Sequence, residues 1–406
     1  MSLTRRTFLA TAATPFLPGP RLSAQAGRIK VAALSSTYHM RSHSDNFITR
    51  FLEGYWIGDQ YHESPGEIVS LYVDQEHPAD ISTRLSKAWG FKKYSSIEDA
   101  LTLGGKKLAV DAVLQVVEHG NYPTNVKNQH LYPRYEFMER VVNVFKKSGR
   151  SVPFFTDKHL SYDWKKAKQM YDWSREMGFP MMAGSSVPVT FRRPELDLPI
   201  DSDLESAIAV GGGWVGDGGL FHVMDTLQAF TERRKGGETG VKSVQLVEGD
   251  AVWESAKQGL WDRSLLDAAL ARGDGEPGPV EKVVKKPVAC LVEYNDGFRA
   301  AGLAMGAKAG GYLAAVKIKG EAQPRATLCY IPIENSNNFS PLVHAIGRCF
   351  NTGKHDFPLE RTLLSTGALS FLMESWYQGQ KRLETPMLDI RYRAPKESYF
   401  ARGMGS

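Results

Sequence analysis

Thr156-Asp157-Lys158-His159-Leu160-Ser161 stands between a short apolar run at 151–155 and a helical stretch that begins at Tyr162 and stops near Gly178. A lysine just past the carboxyl end of a parallel strand lies where open α/β sheets hold their ligands. Its ammonium can orient or polarise an alcohol or a carbonyl there, which makes Lys158 a candidate catalytic group. Histidines gather at comparable places. His39 and His43 follow the first strand-like run, His119 follows Val117, His159 adjoins Lys158, and His222 comes from the second half. In a doubly wound sheet all five would face one crevice. Neutral imidazoles beside a carboxylate such as Glu118 suit polar substrate contacts or a divalent metal, and structural imidazoles are the third reading. His39 and His43 have the spacing of a metal pair but fall in a loop.

The elements that must position these groups are short apolar strands alternating with helices. Strands are expected over 28–34, 67–73, 111–117 and 151–155, with a short extended piece at 91–94. Helices are expected over 45–53, 79–89, 96–103 and 135–147. That alternation is the pattern of a parallel, doubly wound sheet. Segments 55–65 and 121–133 are longer loops than usual, and long ordered loops tend to be functional. Beyond Met181 the rhythm changes to runs of strands at 241–253, 287–294, 298–303, 311–319 and 325–333, with Asn295-Asp296-Gly297 as a hairpin turn. Strands without intervening helices imply an antiparallel sheet in a second domain. Helices at 342–352 and 359–378 close the chain.

At 406 residues, with 42% apolar and 23% charged residues, the chain suits two soluble globular domains. A net charge of +5 with no block of lysine or arginine argues against nucleic-acid binding. No run approaches the length of a membrane span. Cys290, Cys329 and Cys349 are widely spaced and read as buried thiols. Residues 1–26 read as a twin-arginine leader: Arg5-Arg6-Thr7-Phe8-Leu9, an apolar stretch, then Ala24-Gln25-Ala26 as a cleavage site. The twin-arginine export machinery is thus an expected partner and the periplasm the expected location.

Several stretches in order resemble one family. They are 69–74 with its terminal acid Asp74, and Trp89-Gly90-Phe91 through Tyr94 to Glu98-Asp99-Ala100-Leu101. Then come Asp157-Lys158-His159, Gly211-Gly212-Gly213-Trp214 through Asp217 to His222-Val223-Met224-Asp225, and 341–354 ending in Gly353-Lys354. Together, from about Arg28 to about Tyr392, they resemble the Gfo/Idh/MocA oxidoreductases, the group of glucose-fructose oxidoreductase and inositol dehydrogenase. The resemblance implies a Rossmann-like nucleotide-binding domain over 27–183. It also implies an α+β domain over 184–395 with a large open, mostly antiparallel sheet for subunit packing in a homo-oligomer. It implies NAD or NADP as cofactor and a small sugar or polyol as substrate.

On this resemblance Lys158 matches the catalytic lysine. His222 becomes the candidate acid/base, with Asp225 one helical turn on to orient it. His159 and Asp217 become substrate contacts, although Asp217 lies one residue further from His222 than the family's acid does. Ser35, Ser36, Thr37, His39, Asp74, Glu118, His119 and Asp157 fall at cofactor positions, with Asp74 favouring an unphosphorylated ribose. The departure is at the first turn. Family members carry Gly-x-Gly-x-x-Gly there, so that the backbone can turn tightly and approach the pyrophosphate. This chain has Ser35-Ser36-Thr37-Tyr38-His39-Met40, with no glycine. Either hydroxyls at Ser35, Ser36 and Thr37 donate to the phosphates instead, or the cofactor is absent. The expected function is an exported NAD(P)-linked oxidoreductase on a sugar or polyol hydroxyl. The alternatives are a metal-dependent lyase or hydrolase on sugar-derived substrates, and a binding module without chemistry.

Overall fold

A computed structural model describes residues 27–212, 216–332 and 335–403. The leader, residues 213–215 of the glycine-rich turn and Ile333 of the last expected strand lie outside the described residues. The first half builds β1 (Lys30–Ser35), a π-helical turn (Asp45–Thr49) running into α1 (Arg50–Glu53), β2 (Tyr55–Ile57), β3 (Gln60–His62) and β4 (Glu67–Val73). It continues through α2 (Ser82–Trp89), β5 (Lys92–Tyr94), α3 (Ile97–Thr102), β6 (Ala112–Val116), α4 (Arg134–Ser148), β7 (Phe154–Asp157), α5 (Trp164–Glu176) and β8 (Met181–Gly184). β2 and β3 pair as a hairpin inside the expected 55–65 loop.

The six-stranded sheet has the order β5-β4-β1-β6-β7-β8, all neighbours parallel. The order reverses at β1, so the ends of β1, β4 and β6 border the crevice that such sheets offer to ligands. Caps fix where the helices start. Ser96 accepts a hydrogen bond from the Asp99 amide, and Asp163 from the Lys166 amide, each a standard N-cap. The seventh strand begins three residues later than the sequence suggests. Pro153 has no N–H to give to a ladder, and its carbonyl serves only as acceptor for Val113. Pairing instead continues to Asp157, which leaves Lys158 as the first residue past the strand.

The second half comprises β9 (Phe191–Arg193), β10 (Leu204–Gly211), α6 (Gly216–Thr231), β11 (Val241–Glu248), α7 (Asp250–Lys257), α8 (Arg263–Leu270), α9 (Val280–Val283), β12 (Val288–Tyr294) and β13 (Arg299–Ala304). β14 (Tyr312–Ile318), β15 (Arg325–Tyr330), α10 (Ser340–Thr352), α11 (Leu359–Tyr377) and β16 (Leu383–Glu384) complete it. Its eight-stranded sheet runs β16-β11-β12-β13-β10-β14-β15-β9 and is antiparallel except for the β10–β13 pair. The fold is therefore the expected one: a Rossmann-like parallel sheet followed by a large, mostly antiparallel sheet.

Two details correct the sequence reading. The strand expected over 241–253 stops at Glu248, because Gly249 turns at a φ of 65° and starts α7. The sheet face expected to await a partner subunit is covered by the chain itself. α6 and α11 pack on one side, with Leu220, Met224, Leu369 and Leu372 in that core. On the other side Val252, Trp261, Leu265, Leu266 and Ala269, from the insertion between β11 and β12, pack on Ile208, Leu303, Leu313 and Ala315. α11 also packs on α5, so the two sheets share a helical seam.

Candidate functional site

Lys158 is held in a conformation that side chains avoid. Its φ is 63°, and its amide donates to the Gly184 carbonyl at 3.1 Å. A non-glycine residue there costs about 1–3 kcal/mol and persists only where its surroundings impose it. His119, the third residue past its own strand, shows the same strain with a φ of 70°. Both stand at carboxyl ends of central strands, where ligands bind.

Lys158 Nζ donates to Glu118 Oε1 at 2.8 Å, and the other Glu118 oxygen takes a hydrogen bond from Arg134. Glu118 is 7% exposed and Arg134 fully buried. Burial works against the ionised carboxylate, but the Lys158 and Arg134 cations outweigh it and hold Glu118 well below its usual range. Arg134 opens α4, where a cation opposes the helix dipole. That misplaced charge was the signal in the sequence, and it went unread.

α6 brings the opposite wall. A Cβ placed on Gly218 would lie 3.6 Å from Lys158 Nζ and 3.5 Å from Glu118 Oε1. His222 follows Gly218 by one turn on the same helix and shares its face. The imidazole is half-buried, with its ring 5.4 Å from Tyr312, and its Nδ1 is 2.6 Å from Ser185 Oγ. Burial first, then the charges of Lys158 and His43, push its pKa well below the ordinary histidine value. His222 is therefore a neutral base at pH 7. Lys158 thus lies against the α6 turn that precedes His222.

Other expected residues have different occupations. Asp225 does not orient His222. Its carboxylate accepts from the Ser185 amide at 2.9 Å and from Ser365 Oγ at 3.0 Å, so it fixes the residue that in turn meets His222. Burial raises its pKa to about 6. His159 and Asp217 are interior, 1% and 2% exposed, with Nε2 of the imidazole 3.5 Å from the carboxylate and 3.4 Å from Arg134. They brace the floor of the site rather than face a substrate. Asp157 pairs with His43 at 2.5 Å. His43 lies ring-edge to His119 at 5.2 Å, His119 lies 5.9 Å from His39, and His39 stacks on His77 at 4.1 Å. Among the described residues no three His, Cys, Asp or Glu side chains form a metal-holding group, and these imidazoles meet ring to ring instead.

The first turn does not fit a dinucleotide in the family's manner. Thr37 puts a buried side chain at the second glycine position. Ser35 Oγ is bonded to the Thr37 carbonyl and to Ser44 Oγ, and Ser36 Oγ donates to the Glu118 carbonyl at 2.8 Å. Neither hydroxyl is available to a phosphate, contrary to expectation. Asp74 is exposed, and its two oxygens accept from Tyr72 and Tyr122, each at 2.7 Å. His39 forms a backbone bridge with Asp80, and the helix after β1 begins only beyond Ser42, so no helix N-terminus directly follows the strand.

No protein-family model and no curated protein matches the chain. Solved structures do. Apo scyllo-inositol dehydrogenase from Lactobacillus casei aligns with a TM-score of 0.52 at 11% identity, covering 88% of this chain and 98% of that one. Myo-inositol 2-dehydrogenase from Lactobacillus plantarum gives 0.51 at 10% identity, over 88% and 99%. The chain has the fold of the Gfo/Idh/MocA oxidoreductases. A super-repressor mutant of Gal80p from Saccharomyces cerevisiae matches equally well, at 0.52 and 12% identity over 89% and 99% of the two chains. The scaffold thus occurs in proteins named for dehydrogenation and in one named for repression, and the site must carry any argument about chemistry.

Proposed function

We propose that the crevice binds a sugar and moves a proton on the carbon next to its carbonyl. The observation behind this reading is the approach of Lys158, already paired with Glu118, to the α6 turn that precedes His222. Lys158 holds the substrate oxygen and stabilises negative charge as it develops there. His222, neutral and anchored through Nδ1 by Ser185, takes the proton at Nε2 and returns it later in the cycle. Glu118 and Arg134 keep the ammonium in place.

This acid–base step draws on groups that the chain supplies. A nicotinamide-linked oxidation, which the family resemblance implies, has the dehydrogenase neighbours in its favour. Against it stand Thr37 and the engaged hydroxyls of Ser35 and Ser36. The purified mature protein is incubated with aldoses, ketoses and inositols in deuterated water, with and without NAD+ or NADP+, and followed by proton NMR and nicotinamide absorbance. Solvent deuterium entering a carbon-bound position without nicotinamide, and lost in Lys158→Met and His222→Asn, supports the proposal. Turnover only with added nicotinamide restores the oxidoreductase reading. Sugar binding without exchange or turnover makes the protein a binding module and refutes acid–base chemistry.

Export by the twin-arginine route is proposed from Arg5-Arg6 and Ala24-Gln25-Ala26. Cell fractionation of wild type and of the Arg5→Lys/Arg6→Lys variant tests it, with retention of the variant inside the cell as the expected result. A homo-oligomer would need a surface other than the covered sheet face, and light scattering on the purified chain decides whether one forms.

A further inference from the structure

A pocket of about 510 Å³ opens beside the acid–base centre, in the space bordered by the ends of β1, β4 and β6. Thr37, Gln75, His77, His119, Asn121 and Tyr132 line it, together with the Glu76 carboxylate. We infer that this pocket is a sugar-ring subsite continuous with the catalytic crevice, so that the substrate carries two rings: a disaccharide or a glycoside. The inference rests on the acid–base reading and names its substrate class.

The chemistry of the lining decides the kind of ligand. No lysine or arginine lines the pocket, and the exposed Glu76 carboxylate is paired with Lys93 at 3.5 Å. A pyrophosphate would find neither a fixed cation nor a glycine turn there. Amides, a hydroxyl and imidazoles instead offer both donors and acceptors, which is what a ring bearing several hydroxyls requires. Tyr132 is held in the wall by His130, stacked with centroids 5.2 Å apart and planes 18° apart, and by Tyr122, edge-on at 5.6 Å. His119 Nε2 is buried without a hydrogen-bond partner. Burial, with His43 nearby, lowers the pKa of that imidazole to about 4, so at neutral pH it is an uncharged hydrogen-bonding group and not an anion receptor.

The pocket adjoins the centre through His119 and Tyr132. His119 is the residue after Glu118, the partner of Lys158. Tyr132 lies 5.0 Å from the Arg134 guanidinium, which holds the other Glu118 oxygen. One ring in the pocket and a second against Lys158 would therefore share a wall made of Glu118 and His119.

The test is isothermal titration of the mature protein with glucose, galactose and mannose, with α- and β-linked disaccharides of each, and with NAD+ and NADP+. At least one disaccharide is expected to bind tenfold or more tightly than its monosaccharide. His77→Ala and Asn121→Ala, both at exposed positions that leave the core intact, are expected to reduce that ratio at least fivefold. Lys158→Ala is expected to weaken monosaccharide and disaccharide alike. If monosaccharides bind in a Lys158-dependent way and the second ring adds nothing, the subsite is refuted and the acid–base reading stands. Dinucleotide binding that the pocket variants abolish also overturns the subsite. If no sugar in the panel binds, both readings fall.

Discussion

Replacing Glu118 with glutamine keeps the shape of the side chain and removes its charge, leaving Lys158 and Arg134 as neighbouring buried cations. With Lys158 Nζ and Glu118 Oε1 2.8 Å apart, an effective dielectric of about 20 puts their direct attraction at roughly 6 kcal/mol. Desolvation of both ions offsets part of that, and removing one member of a buried pair costs about 3–5 kcal/mol in practice. For a cooperative unit of this size each kcal/mol moves the midpoint by about 2–4 °C, so Glu118→Gln is expected to lower Tm by roughly 6–20 °C. Scanning calorimetry reads the shift. A Lys158→Met/Glu118→Gln double variant should lose less than the sum of the two single variants, because one stranded charge is gone. The pH dependence has a definite sign. The Glu118 carboxyl lies well below its ordinary value of 4.5 in the folded protein, so its contribution is complete above that value and fades as pH falls below it. The wild-type advantage over Glu118→Gln should therefore be constant near neutrality and shrink only in acid. A Tm change under about 2 °C at pH 7, or strict additivity in the double variant, would refute the account of a charge-locked lysine.

His222→Asn is expected to lower turnover about 10²–10⁴-fold. The wild-type rate should stay level from neutral pH to below the ordinary histidine value of 6.5, since the folded protein holds His222 neutral there, and a rate that halves near that value would contradict this. Ser185→Ala removes the hydroxyl at His222 Nδ1 and should cost roughly tenfold in kcat, the worth of one hydrogen bond, while KM changes little; an unchanged kcat would assign that serine a structural role only. At position 158, with its φ of 63°, glycine should give a protein about 0.5–1 kcal/mol more stable than alanine, the reverse of the usual order, as urea unfolding would reveal.

The sheets were legible in the sequence because their signals are local. Alternating apolar strands and helices announced the first, and closely spaced strands announced the second. Lys158 was legible for the same reason, being placed by a strand end. β8 went unread because Met181–Gly184 is four residues long and earns its place only by pairing with β7. Ser185 could not be placed, since it acquires meaning through His222, a partner remote in sequence, and the cation against its helix dipole marks Arg134 without pointing to Glu118. Asp225 was assigned to its helical neighbour by spacing, whereas its interior position forces both oxygens onto donors from Ser185, just past β8, and from α11. The hydroxyls after β1 read as ligand contacts because sequence cannot show that the chain's own carbonyls claim them first.

The segment laid over the outer face of the larger sheet carries a consequence for how the molecule lives in company. Broad apolar β surfaces ordinarily call for a mate, and here some forty residues of the same polypeptide take that part. Cover of this kind lets the sheet keep its apolar face out of water without borrowing a surface from another molecule. It also shifts the point of vulnerability: whatever peels away Leu265, Leu266 and Trp261 would bare a sticky plane open to association.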